Sequence, residues 1–263
     1  MVSKLAHLEK LLAGLGSVVV AYSGGVDSTL LVSVASDILG AKALAVSASS
    51  PIHPASETRL AASLAHQLGI RHIVIETTEM GDPAFVANDA QRCYHCKRVL
   101  FAELARLAEE AGIRAVIEGT NCDDVHRDRP GIRAAQELGV RSPLADLGIS
   151  KAEVRSLARE RGLPNWDKPS FSCLATRIPH GTPVTVDVLD RIGRAEQLLA
   201  EMGLSQPHVH HHGSVARIEV QNRDRALLAF QDTWLRAVAA LRALGYAEVT
   251  LESTAGTDER RLT

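Results

Sequence analysis

Val18-Val19-Val20-Ala21-Tyr22-Ser23-Gly24-Gly25-Val26-Asp27-Ser28-Thr29-Leu30-Leu31 is the stretch that decides the fold. Residues 18–22 form an unbroken apolar run, the pattern of a strand buried on both faces in a parallel sheet. The run empties into a Ser-Gly-Gly loop, and residues 27–39 then carry a helical pattern closed by Gly40. Adjacent glycines let the backbone approach an anion closely, successive N–H groups can form a nest, and the helix N-terminus adds partial positive charge. Ser23 and Ser28 place a hydroxyl on either side. The string is neither Gly-x-Gly-x-x-Gly nor Gly-x4-Gly-Lys-Ser/Thr, so the dinucleotide fingerprint and the Walker loop are both ruled out. A phosphate-binding turn and a plain strand-to-helix turn with a serine cap are the two readings of this segment.

Outward from that loop the strand-then-helix rhythm repeats through the first 160 residues or so, which implies βαβ units and a helix-covered parallel sheet. Further strands are expected at 43–47, 72–76 and 115–118. Pro54 opens one helix, residues 96–110 form another, and Ser150-Lys151-Ala152-Glu153 carries a capping box for a third that stops at Gly162-Leu163-Pro164. Between Pro164 and Pro183 the periodicity lapses: four prolines, Trp166, Phe171 and Cys173 share a long loop, and such loops are commonly functional. Beyond it come a helix over 187–202, a strand over 215–220, helices over 224–244 and a strand over 247–251. The expected organisation is a Rossmann-like α/β domain over 1–163 with helices on both faces of a parallel sheet. An active-site loop over 164–183 follows, then a smaller α+β unit over 184–263. The tail after Leu251, ending Asp258 to Thr263, carries no recognisable site.

The 263 residues carry 29 Lys and Arg against 31 Asp and Glu, a net charge of −2 without Lys/Arg runs, which argues against stable nucleic-acid binding. Two Trp, three Tyr and four Phe leave little for base-stacking platforms. No apolar run approaches the roughly 20 residues of a membrane span, and Lys4, Glu9 and Lys10 interrupt what a signal peptide would need, so a cytoplasmic protein is expected. Four cysteines are too sparse for a disulfide scaffold. Cys93 and Cys96 have the two-residue spacing at which both thiolates face one metal or cluster, and with Cys173 they could form a three-thiolate set. A zinc clip, a redox pair and a 4Fe–4S cluster with one free iron all fit that spacing.

Five blocks in order carry a resemblance. Ser23-Gly24-Gly25-Val26-Asp27-Ser28 resembles the pyrophosphate (PP) loop of the N-type ATP pyrophosphatases, which include GMP and NAD synthetases, tRNA thiolases and sulfur transferases. Arg92-Cys93-Tyr94-His95-Cys96-Lys97, Glu118-Gly119-Thr120-Asn121-Cys122-Asp123-Asp124, the run from Pro169 to Pro179 and Ala216-Arg217-Ile218-Glu219-Val220 together resemble the LarE family. Those are ATP-dependent sulfur transferases that assemble the nickel-pincer nucleotide cofactor of lactate racemase.

The resemblance implies ATP at the strand ends, adenylylation of a substrate carboxylate with release of pyrophosphate, and conversion to a thiocarboxylate. The implied substrate is pyridinium-3,5-biscarboxylic acid mononucleotide. Ser23, Gly24, Gly25, Asp27, Ser28 and Asp124 would bind ATP, with Asp27 and Asp124 on Mg²⁺; helix capping and turn formation are the alternative roles of the two aspartates. Cys173 stands where the family's sulfur-donating cysteine lies; the sulfur is its own or is carried by a cluster on Cys93, Cys96 and Cys173. Cys122 stands where the family shows a small apolar residue, so a buried, inert thiol is expected.

Lys97 could contact phosphate, lower a thiol pKa or be a solvated helix residue. Arg177 could grip a phosphate bidentately. Arg217 and Glu219 share a strand face, either as a salt bridge or, as the family implies for arginines of this region, toward the substrate's nucleotide phosphate. Where such an arginine is expected, the chain has His208, His210, His211 and His212, read as a solvated strand end or an adventitious metal site. The family also implies a homo-oligomer, with sulfur-donor or lactate racemase maturation proteins as partners. Two other classes fit the loop: a tRNA thiolase, and a non-catalytic nucleotide-binding protein with a zinc clip.

Overall fold

The computed structural model describes residues 4–125, 130–252 and 261–262 and divides into two compact units. The first takes in Met1–Phe85 and Ala90–Phe171; the second takes in Val86–Asp89 and Ser172–Thr263. In chain order the first unit holds α1 (Lys4–Leu15), β1 (Val18–Ala21), α2 (Val26–Leu39), β2 (Ala43–Ser49), α3 (Ala55–Gln67), β3 (His72–Glu76) and α4 (Pro83–Val86, whose last residue belongs to the second unit). It continues with α5 (Arg92–Glu110), β4 (Ala115–Ile117), α6 (Cys122–Val125), α7 (Pro130–Glu137), α8 (Pro143–Asp146) and α9 (Lys151–Glu160). Its sheet has the order β3-β2-β1-β4, and every pair is parallel.

The two faces of β1 show why the helices lie where they do. Successive strand side chains point to opposite faces. Val18 and Val20 enter a core with Leu8 and Leu12 of α1, Leu30 and Leu31 of α2 and Val154 of α9. Val19 enters a second core with Phe101 and Leu104 of α5 and Ala134 and Ala135 of α7. An apolar strand without alternation therefore demands a three-layer α/β fold, and the unit has one. At the outer edge β3 leaves Ile73 and Val74 exposed.

Several boundaries differ from the sequence expectation. The helix expected from Cys96 begins at Arg92, and Gln91 before it makes no side-chain capping bond, so no start signal exists to be read. The polar turn after β4 contains the single helical turn α6. The helices expected over 224–244 begin two residues earlier, at Asn222, and Phe230 with its extended backbone (φ −68°, ψ 125°) stands between α11 (Asn222–Ala229) and α12 (Gln231–Ala243).

The second unit also contains α10 (Val186–Glu201), β5 (His208–His212), β6 (Val215–Glu219), β7 (Glu248–Leu251) and β8 (Arg261–Leu262), in the sheet order β5-β6-β7-β8. Only β6 and β7 are parallel. Its core joins Ala195 and Leu199 of α10, Val209, Ile218 and Val249 of the sheet and Trp234, Val238 and Leu241 of α12. Residues 253–260 and 263 of the expected featureless tail lie outside the described residues. Val86–Asp89 is tied in by Asn88, fully buried at φ 57°, whose amide donates to the carbonyls of Pro179 (2.8 Å) and Thr182 (2.7 Å). No helix among the described residues is long and apolar enough to cross a membrane.

The expected capping box of α9 is present: Glu153 N–H donates to Ser150 Oγ (3.3 Å), and Glu153 Oε2 accepts from Ser150 N–H (2.9 Å) and from Lys4 Nζ (2.7 Å). The Lys4 bond, followed by the Ser150 bonds, holds the Glu153 carboxyl down at about 2 from an ordinary 4.5. A depressed folded-state pKa contributes stability above the unfolded value that disappears as pH falls toward the folded one. Solvent around both side chains reduces the effect. The unfolding free energy of Lys4→Ala, measured in urea at about pH 7 and about pH 3, should therefore fall less on acidification than that of the parent.

Candidate ATP site

In an open parallel sheet, ligands bind beyond the carboxyl ends of the strands where the chain order reverses. Here β1 is flanked by β2 on one side and β4 on the other, so the reversal lies between β1 and β4. The Ser-Gly-Gly loop leaves the carboxyl end of β1, and Gly119-Thr120-Asn121 leaves that of β4.

Gly24 sits at φ 69°, and a Cβ there would lie 2.8 Å from Ala61 Cβ and 3.0 Å from Ala61 Cα of α3. Gly25 precedes α2 with no side-chain cap, leaving first-turn N–H groups of the helix to meet an anion. The two serines brace the loop itself. Ser28 Oγ accepts from Ser23 N–H (3.2 Å) and donates to the Gly25 carbonyl (3.1 Å), while Ser23 Oγ lies 3.1 Å from Ser28 Oγ and accepts from Gly25 N–H (3.3 Å). Ser28 is buried and Ser23 exposed.

Asp27 is held from two directions. Asn121 Nδ2 donates to its Oδ1 (3.1 Å), and Lys151, the first residue of α9, pairs with its Oδ2. Asn121 is buried; its Oδ1 accepts from the N–H groups of Asp123 (3.0 Å) and Asp124 (3.3 Å), and its own N–H donates to Asp124 Oδ2 (3.4 Å). Asp27 and Asp124 thus both meet Asn121, one at the side-chain amide and the other at the backbone. Asp123 Oδ2 accepts from Lys151 N–H (2.8 Å). On the far side of the loop, Asn165 Nδ2 donates to the Gly24 carbonyl (3.0 Å) and to Thr29 Oγ1 (2.9 Å). A cavity of about 380 Å³ there is lined by Gly24, Leu60, Leu64, Asn165 and Lys168.

Asn121, Lys151 and Asn165 were not singled out as site residues. Lys151 had a local signal, because a cation in the first turn of a capped helix opposes the helix dipole and needs a nearby anion. Asn165 had none.

Cys93 and Cys96 lie one turn apart at the start of α5, on one side of the helix, Cys93 exposed and Cys96 half-buried. Lys97 stacks its ammonium 5.0 Å from the Phe101 ring centre. Nearby, burial lowers the pKa of His53, with Glu79 opposing and Lys97 adding to the effect. Cys122 is half-buried rather than buried: its thiol reaches toward Asp123, and desolvation followed by that carboxylate pushes its pKa up.

In the second unit, Cys173 is half-buried ahead of a short 3-10 turn, Leu174–Arg177, and its carbonyl accepts from Thr176 N–H (3.0 Å) and Oγ1 (2.7 Å). Arg177 is only 3% exposed; it pairs with Glu196 (2.8 Å) and donates to Ser172 and Thr176 hydroxyls (2.7 Å each). Its Nη2 is buried without a hydrogen-bond partner among the described residues, so one donor of the fork stays uncommitted. Glu219 of β6 accepts from His210 (2.7 Å), which lowers its pKa. Arg217 stands directly across from His210 in the β5–β6 register. The histidine run is the edge strand β5 itself, with alternate side chains turned inward and only His212 exposed. His211 is buried at 3.2 Å from the Tyr246 hydroxyl, and burial pushes Tyr246 up to about 12.

A phosphate loop of this form at the reversal of a parallel sheet defines a nucleotide-binding PP-loop protein. The NAD synthase family matches residues 6–118. The chain is 35% identical over 254 residues to pyridinium-3,5-bisthiocarboxylic acid mononucleotide synthase of Lactiplantibacillus plantarum, covering 96% of this chain and 91% of that one. It is 43% identical over 251 residues to an uncharacterized protein of Synechocystis, covering 95% and 93%. A glutamine-hydrolysing GMP synthase of Aeropyrum pernix is 28% identical over 221 residues, 76% of this chain but 42% of the synthase. The chain belongs to the LarE family of the PP-loop superfamily, and so to a group of ATP-using enzymes.

Gly119 has no room for a side chain: a Cβ would stand 3.0 Å from Ser28 N, 3.2 Å from Ser28 Cα and 3.3 Å from Asp27 C. All three are backbone atoms that cannot swing away, so Gly119→Ala should cost about 1–3 kcal/mol in a denaturant titration. The same variant should weaken binding of a non-hydrolysable ATP analogue, measured calorimetrically.

Proposed function

We propose that the chain is an ATP-dependent sulfur transferase that adenylylates a carboxylate of pyridinium-3,5-biscarboxylic acid mononucleotide and converts it to a thiocarboxylate. The observation that carries this reading is the near full-length similarity to a synthase of the corresponding bisthiocarboxylic acid mononucleotide, together with a loop built for polyphosphate at the end of β1.

The Ser23-Gly24-Gly25 backbone and the N-terminus of α2 take the phosphates of ATP, whose developing charge they stabilise without reorganising. Mg²⁺ suits the carboxylates of Asp27 and Asp124, hard oxygen ligands that leave positions for phosphate oxygens. Lys151 supplies fixed positive charge beside Asp27. A carboxylate oxygen of the substrate attacks the α-phosphorus, the bond to pyrophosphate breaks, and an acyl-adenylate results. Its carbonyl carbon is then open to a sulfur nucleophile, and AMP leaves with the electrons of the carbon–oxygen bond. Where the nucleophile is the Cys173 thiolate, a thioester forms first. A base then takes the Cα proton of residue 173, the Cα–Cβ double bond forms, and the Cβ–S bond breaks with its electrons on sulfur, leaving the thiocarboxylate on the substrate and dehydroalanine at position 173. The thiols of Cys93, Cys96 and Cys173 are donors of the right softness for a 4Fe–4S cluster, which when bound would supply an iron able to carry an exchangeable sulfide in place of the cysteine's own sulfur.

Two variants separate the half-reactions. Asp27→Asn should reduce substrate-dependent ATP–pyrophosphate exchange at least tenfold, a loss of the size typical when transition-state charge stabilisation is removed. Cys173→Ala should keep the exchange and lose the thiocarboxylate product by mass spectrometry; thiocarboxylate from that variant would place the donor elsewhere.

A further inference from the structure

We propose that His210, Glu219 and Glu252 form a binding site for one first-row divalent cation of the zinc or nickel kind. The sheet of the second unit has two unlike faces. Val209, Ala216, Ile218 and Val249 point into the core. The alternate residues His208, His210, Arg217 and Glu219 point the other way, and Glu252 follows directly after β7.

One ligand atom from each of His210, Glu219 and Glu252 lies within 4.8 Å of the other two. His210 Nε2 is 2.7 Å from Glu219 Oε2 and 3.8 Å from Glu252 Oε2. Ligands held about 2.0–2.2 Å from one cation stand roughly 3–3.5 Å apart, between those two distances, so small side-chain rotations close the set. The backbones that carry the ligands are fixed. His210 and Glu219 belong to one antiparallel ladder, and Glu252 N–H donates to the Ile218 carbonyl (2.7 Å), pinning it beside Glu219.

The Glu252 carboxylate is the telling group. It is half-buried and has no hydrogen-bond donor within reach among the described residues; the nearest cationic atoms are His210 Nε2 at 3.8 Å and Arg217 Nε at 3.9 Å. A half-buried carboxylate held just beyond contact with two partners is a costly arrangement for a finished salt bridge and an apt one for a metal ligand. Two carboxylates and a neutral imidazole carry two negative charges, matching a dication, while Arg217 then faces a neutralised cluster. His208 Nδ1, 3.6 Å from the same Glu219 oxygen, is positioned to orient that carboxylate. One nitrogen and two oxygen donors favour zinc, nickel or cobalt over magnesium and calcium.

The test uses the full-length chain with Cys93, Cys96 and Cys173 replaced by serine, so that no thiolate of the three competes for metal. Titration with Zn²⁺ against a chromophoric chelator should show one ion per chain, and Co²⁺ should give visible d–d bands without a thiolate charge-transfer band. His210→Ala and the isosteric Glu252→Gln should each weaken Zn²⁺ binding at least tenfold, an effect of the order seen on loss of metal-site residues. Excess Zn²⁺ should raise the unfolding temperature of the parent and not of either variant, whereas His212→Ala should behave as the parent. Absence of one-to-one binding, or Zn²⁺ affinity unchanged in both His210→Ala and Glu252→Gln, would overturn the proposal.

Discussion

The ATP site rests on a close approach between two stretches of backbone. Gly119, just beyond β4, lies against the peptide joining Asp27 to Ser28, with space for a hydrogen and nothing larger. That contact brings the end of one strand against the first turn of the helix that follows its neighbour. It delivers Asn121 to Asp27, and Asn121 in turn shapes the Asp123-Asp124 turn on which the start of α9 is anchored. The phosphate loop is thus backed by Gly119–Asn121, Lys151 and Asn165, all more than ninety residues from it in sequence. Its glycines serve packing as much as flexibility, since Gly24 is pressed on Ala61 much as Gly119 is pressed on Ser28.

What was legible in the sequence was local. An apolar strand, two glycines and a helix pattern occupy a dozen consecutive residues, and the physics that makes them a strand, a loop and a helix acts within that window. The capping box at Ser150 was legible for the same reason. Lys151 and Asn165 escaped as site residues because their partners, Asp27 and Gly24, lie 124 and 141 residues away. The early start of α5 escaped because its N-cap makes no bond that a propensity could report, and that start puts both cysteines of the pair on a helix. His211 was hidden by its neighbours: a run of histidines reads as a polar stretch, but strand alternation sends every second one inward, and Tyr246 is there to meet it.

The relatives differ in how much of the chain they reach. Proteins with quite different names, GMP synthase and argininosuccinate synthase, match this chain over 56% to 76% of its length. A shared nucleotide loop is a poor guide to what the nucleotide is used for. The relatives that match over 95% and 96% of the chain reach across most of the second unit. The polar face of the second sheet carries the imidazoles of His208 and His210 on β5, opposite Glu219 and Arg217 of β6.

Val86–Asp89 gives the second unit a discontinuous sequence. Asn88 closes its hydrogen bonds on carbonyls more than ninety residues downstream, and the Val86 carbonyl accepts from Val184 N–H. During synthesis those four residues leave the ribosome long before their partners exist. They stay bonded to water while the sheet around β1 gains β4 and the helices that follow. The first unit's sequence is therefore interrupted by four residues whose partners come much later in the chain. A fragment cut cleanly at Phe171 would keep a buried-type asparagine with no mate, and the matching downstream fragment would lack the plug for its own loop. For this chain, the compact units of structure and the contiguous stretches of sequence are different objects.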